Sequence, residues 1–135
     1  MRRSLLLLVG CALATALGCG DGRATVSGHV TFNGEPISRG SITLVPVDGR
    51  GQPSGASVEQ GRYRIASVPP GDTFVQIVAV YPVGREKRDD GSEFELVGSL
   101  LPDSWGAASK ERLTVVAPST TQNFEITGPD PRKTK

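Results

Sequence analysis

The sequence predicts an all-β fold, a small seven-stranded β-sandwich. Two observations point there. From residue 25 onward, short runs rich in Val, Ile, Thr, Tyr and Phe are punctuated by Gly, Pro, Asn and Asp at the spacing of an all-β domain. No helical period follows the N-terminal apolar stretch.

The first strand is read over residues 25–32, where Val26, Gly28, Val30 and Phe32 share one face and Thr25, Ser27, His29 and Thr31 the other. Asn33-Gly34 then supplies the positive φ angles of a tight turn. Residues 41–47 form the second strand, 48–55 a loop, and 56–59 a short third strand that turns at Gln60-Gly61. In the fourth strand, 62–66, Tyr63 and Ile65 point inward while Arg62 and Arg64 point outward. Pro69-Pro70-Gly71 ends it, because two prolines donate no backbone hydrogen bond. The fifth strand, 73–80, is apolar on both faces and is expected to be central and covered on both sides. Residues 113–117 and 123–127 complete the seven, and 128–135 read as a mobile tail.

One connection breaks the rhythm. Residues 81–112 are read as a single long loop, and loops beyond ~15 residues are usually functional or disordered. It opens on the charged run Arg85-Glu-Lys-Arg-Asp-Asp90, expected to be solvated. The apolar patch from Phe94 to Trp105 follows, expected as a further short strand or a cap on one end of the sandwich.

The N-terminus has the build of an export signal: Arg2 and Arg3, 13 apolar residues from Leu5 to Leu17, then Ala16-Leu17-Gly18-Cys19. The run falls short of the ~20 residues that span a bilayer. Cys19 stands where bacterial lipoprotein signals carry the lipid-accepting cysteine. Cleavage before Cys11, or after Ala16 to release a soluble protein, are the alternatives. The expected organisation is a signal over 1–18, a lipid-anchored linker over 19–23, a sandwich over 24–127 and the tail. The expected location is a cell membrane or outer membrane, with a secreted or periplasmic protein as the fallback.

Removing the first 18 of 135 residues leaves 117, enough for one core. Arg2 and Arg3 leave with the signal, so 13 basic residues face 14 acidic ones, and this near-neutral balance gives no electrostatic reason to bind nucleic acid. Beyond Cys19 there is no cysteine, hence no disulfide, no thiolate metal site and no catalytic thiol.

Three segments carry a family pattern: Val26-Ser-Gly-His-Val-Thr-Phe-Asn-Gly-Glu-Pro-Ile37, Gly61-Arg-Tyr-Arg-Ile65 and Val68-Pro-Pro-Gly71. Together they resemble the carboxypeptidase regulatory-like domain found in small bacterial lipoproteins, whose Pro-x-x-aromatic segment is matched by Pro102 and Trp105. The resemblance covers residues 24–127. It implies a transthyretin-like, seven-stranded Greek-key sandwich, and it implies an accessory module, not an enzyme. The branch of the transthyretin-like fold that hydrolyses 5-hydroxyisourate uses several histidines and a C-terminal Tyr-Arg-Gly-Ser; this chain has one histidine and ends Arg132-Lys-Thr-Lys135.

Candidate chemistry is sparse. His29 lies on the polar face of the first strand with no second histidine or cysteine to share a metal. No serine sits in a G-x-S-x-G elbow. Asp89, Asp90, Glu93 and Glu95 lie in one charged segment, read as solvated and lacking a calcium-loop spacing. No cofactor or metal is expected. Trp105, with Asp103 and Lys110 nearby in sequence, is the one candidate ligand-binding group; the competing reading is an aromatic plug for the core. The leading expectation is a non-enzymatic module, held to a membrane by lipid on Cys19, that binds an envelope protein or structural partner through loops distal to the anchor. The alternative is a carbohydrate-binding lipoprotein using Trp105 on an envelope polysaccharide.

Overall fold

The computed structural model describes residues 22–133. The export signal and the processing positions at Cys11, Ala16 and Cys19 lie outside those residues. Ten strands follow in order: β1 (Ala24–Phe32), β2 (Glu35–Pro36), β3 (Arg39–Pro46), β4 (Ser54–Glu59), β5 (Arg62–Val68), β6 (Gly71–Lys87), β7 (Glu93–Ser99), β8 (Arg112–Val115), β9 (Ser119–Thr121) and β10 (Phe124–Ile126). The seven expected strands are β1, β3, β4, β5, β6, β8 and β10, and the all-β sandwich holds. The additions are β2, β7 and β9.

One continuous ladder makes the sandwich. Its order is β10-β1-β5-β4-β3-β6-β7, with β8 on β6 and β9 on β1. The hairpins β3-β4-β5 bring the chain back beside β1, which is a Greek-key return. β4 and β5 share a single register pair, Glu59↔Arg62 at their turn, so the ladder parts there and folds over itself. β9 and β10 run parallel to β1, against Thr25–Ser27 and Val30–Phe32 respectively.

Period-two alternation becomes burial as expected. Val26, Val30 and Phe32 of β1, Ile42 and Leu44 of β3, Val58 of β4, Tyr63 and Ile65 of β5, and Val75, Ile77 and Ala79 of β6 form the core. Each large aliphatic or aromatic side chain buried there is worth ~1.5–3 kcal/mol. Gly28 alternates inward with them, and a Cβ at Gly28 would collide with the Gln122 carbonyl. The β9–β10 link therefore dips over the inner face of β1 at its one core-facing position without a side chain, where the Tyr63 hydroxyl donates to the same carbonyl at 2.6 Å.

Three expectations are corrected. β6 is central, but only one face is covered: Val78 is 46% exposed. The other face is partly shielded by a side chain instead of a layer, the Arg112 guanidinium lying 5.1 Å from the Phe74 ring centroid. The 81–112 connection is not one loop. β6 continues through Lys87, turns at residues 88–92 and returns as β7, the further short strand that was one of the two expectations for the apolar patch, while Leu100 and Leu101 drop into the core. Finally, residues 128–132 are docked where a mobile tail was expected. Asn33 Nδ2 donates to the Gly128 carbonyl at 2.9 Å, and Gly128 N–H donates back to Asn33 Oδ1 at 3.0 Å.

Candidate functional site

The strand directions sort the turns into two ends. β1 starts at Ala24 and pairs there with Val68, beside Pro69-Pro70; the loop between β3 and β4 lies at this same end. The opposite end carries the Asn33-Gly34 and Gln60-Gly61 turns and the 88–92 turn. This end is called distal below, since it is farthest from the entry of the N-terminal segment.

The β6–β7 ribbon dominates the distal end. β3 pairs with β6 only as far as Gly40↔Ala79, and β6 then runs on from Val80 to Lys87 with β7 as its one ladder partner. Eight residues at ~3.3 Å make an arm of about 26 Å. A bulge between Pro82 and Gly84 marks its root. Tyr81, Gly98, Leu96 and Phe94 share one face, in line with the buried positions of β6. Pro82, Val97, Arg85 and Glu95 share the other. Val83 and Val97 are 55% and 47% exposed.

Between the arm root and the β1–β2 turn the sandwich opens into a cleft of about 640 Å³. Its floor includes Phe32, Ile37 and Leu100, and Tyr81 and Pro82 form one wall. Ion pairs across the rim join distant parts of the chain: Arg39–Glu95 at 2.9 Å and Arg132–Glu35 at 3.1 Å. Such exposed pairs add little stability, and their effect is to fix the shape of the rim. Arg132 also grips Asp130 at 2.7 Å. That hydrogen bond, with the guanidinium charge, pulls the Asp130 carboxyl down to about 2, so this clasp persists to strongly acidic pH.

The residues singled out from sequence do not meet here. Trp105 is partly buried, stands edge-on to Phe124 (6.2 Å between centroids, 78° between planes) and packs on the core. Asp103 is exposed in a short 3-10 turn, Asp103–Trp105, and Lys110 is exposed as well. Asp103 borders a hollow beside Ile77, Val78 and Ala107. His29 is exposed, with its backbone N–H bonded to Asn123 Oδ1 at 2.9 Å. Three carboxylates of the charged segment are individually engaged. Asp90 accepts from the Ser92 hydroxyl and N–H, which lowers its pKa; Glu93 pairs with Lys87 and Glu95 with Arg39. Among the described residues, no group of three His, Cys, Asp or Glu could hold a metal, and no helix is long and apolar enough to cross a membrane.

The cleft and its rim were missed because they join Glu35, Arg39, Glu95 and Arg132, four residues spread over nearly a hundred positions. The arm did leave a trace, the alternation Glu93-Phe94-Glu95-Leu96.

No protein-family model matches this chain, and no curated protein matches it significantly. Among solved structures it is similar to a 9R-lipoxygenase from Cyanothece (10% identity, TM-score 0.40), covering 82% of this chain and 17% of that one. It is also similar to BcpA, the major pilin subunit of Bacillus cereus (10%, 0.43), covering 78% and 29%. A third is a "putative carbohydrate binding protein" of Pseudomonas aeruginosa (13%, 0.45), covering 79% and 89%. The chain thus spans less than a third of the lipoxygenase and of the pilin. Scores of this size assign no function.

Proposed function

We propose that this chain is a non-enzymatic cell-envelope module, held to a membrane by lipid on Cys19, that engages a protein or structural partner through its distal end. The observation that carries the reading is the arm: a two-stranded ribbon projecting about 26 Å beyond β3, with exposed valines and a cleft at its root, at the end away from the N-terminal segment. Thr25 lies six residues after Cys19, at most about 22 Å of chain, so a lipid on Cys19 would hold the Ala24 end at the membrane and present the arm outward. Glu95, Glu93 and Asp90 of the arm are each held by a separate partner, Arg39, Lys87 and Ser92, which favours binding over catalysis. Trp105 is spent on the core, which argues against the polysaccharide reading.

Two measurements on the full chain in cells test this. Labelling with an alkynyl fatty acid should mark the wild type and the Cys11→Ser variant but not Cys19→Ser; label retained in Cys19→Ser would remove the anchor. A photo-crosslinking residue at Ser92 or Val97 should capture one recurrent partner, and at Gly51 should capture none. Capture at Gly51 alone would overturn the distal reading.

A further inference from the structure

Among the described residues β7 pairs with β6 on one side and with nothing on the other, so the backbone N–H and C=O groups of every second residue in this seven-residue strand lie open along the arm. Open edges of this length recruit another strand unless blocked, commonly by charges, proline or bulges. The bulge here is in β6, not β7; β7 contains no proline, and its two charges, Glu93 and Glu95, are held in ion pairs within the chain by Lys87 and Arg39.

We propose that this edge is self-complementary, and that two copies of the chain pair through it, β7 against β7, antiparallel and centred on Leu96. This names the partner within the distal-end reading and rests on it. Antiparallel self-pairing has a two-fold axis perpendicular to the sheet, and it keeps like faces together only when the centre falls on a residue. Three centres are available near the middle of Glu93–Ser99. A centre at Glu95 sets two carboxylates directly opposite, a destabilising arrangement. A centre at Val97 sets Leu96 against Gly98 and leaves Phe94 without a facing residue in the strand. A centre at Leu96 sets Leu96 against Leu96, Phe94 against Gly98, Glu95 against Val97 and Glu93 against Ser99. No like charges meet, and Phe94, with the Arg88 guanidinium 5.0 Å from its ring centroid, comes opposite Gly98, where it joins the Tyr81 ring that already borders this glycine. The result is a four-stranded sheet, β6-β7-β7-β6, whose one face carries Tyr81, Phe94 and Leu96 of both copies.

The geometry also fixes orientation. Leu96 faces Gly84, thirteen residues along β6 from Gly71 at the Ala24 end. Antiparallel pairing therefore sends the two Ala24 ends in opposite directions, roughly 80 Å apart. Lipid-anchored copies paired in this way stand on facing surfaces instead of side by side in one leaflet.

The test uses the full chain in detergent, with Cys11→Ser and Cys19→Ser so that an introduced thiol is the only one. On mild oxidation Leu96→Cys should give a disulfide dimer at least ten-fold more abundant than Phe94→Cys or Val97→Cys. Phe94→Cys mixed with Gly98→Cys should give a mixed dimer that neither forms alone. In sedimentation equilibrium, Leu96→Glu and Leu96→Lys should each be monomeric and their mixture should dimerise. A wild type that stays monomeric to about 1 mM overturns the pairing, and so does a mixture that stays monomeric. A dominant Val97→Cys dimer overturns the register. If the wild type is monomeric yet a crosslinker at Val97 captures a different protein, the distal reading stands and self-pairing falls.

Discussion

Replacing Tyr63 with phenylalanine tests how the fold closes. Tyr63 is 4% exposed, its ring lies 6.1 Å from that of Phe124, and its hydroxyl holds the Gln122 carbonyl at 2.6 Å. Tyr63→Phe keeps the ring and removes the donor, leaving a partly buried carbonyl short of a partner, at a cost of ~1–3 kcal/mol. At a slope of ~2 kcal/mol per molar urea, the unfolding midpoint at pH 7 should fall by about 1 M. Burial also pushes the Tyr63 phenol up to about 12 from its ordinary 10. The folded state favours the neutral phenol, so this contribution is intact below pH 10 and is lost as pH rises from 10 to 12. Two pKa units at 1.36 kcal/mol each make the loss about 3 kcal/mol in the wild type. Phenylalanine has nothing to lose, so the stability gap should close, or invert, by pH 12. Urea melts followed by circular dichroism at intervals from pH 7 to pH 12 would show it. Curves that stay parallel over that range would refute the assignment of Tyr63 as a buried neutral donor.

Gly28→Ala should cost more than 2 kcal/mol, because the new methyl meets a backbone carbonyl that cannot rotate away, and thermal melting would register the loss. Trp105→Ala should cost about 2 kcal/mol through lost packing and the edge contact with Phe124. Emission from Trp105, the single tryptophan, should be blue-shifted in the folded chain and unmoved by polysaccharides; a saturable shift would restore the sugar-binding reading.

Where side chains meet a core, the fold was legible. Val26, Val30 and Phe32, or Tyr63 and Ile65, alternate because water lies on one side and apolar atoms on the other. The arm has no core, and its residues carry weaker instructions. Pro82 and Gly84 read as loop residues, yet they accommodate a bulge at the root of a ribbon. Val78 and Val80 suggested a second covering layer, but the exposed Val78 shows that an apolar residue on a strand does not prove one. The Asn33–Gly128 contact bridges 95 positions, and nothing local in either segment announces it. Trp105 packs against the core edge-on to Phe124, a placement that its sequence neighbours Asp103 and Lys110 do not announce.

The parallel seating of β9 and β10 on β1 bears on how the protein carries load. Pulled from the Ala24 end against the distal rim, β1 would slide along its neighbours, with tension parallel to the strands and across the ladder bonds. Those bonds then share the force together, in shear, and do not open one after another as in a peeled hairpin. The C-terminal segment, stitched to Asn33 and Glu35, leaves at that same rim and meets the pull there. A sandwich connected in this way is built to resist being stretched between its two ends, and it would yield far sooner if the pull came sideways through β7.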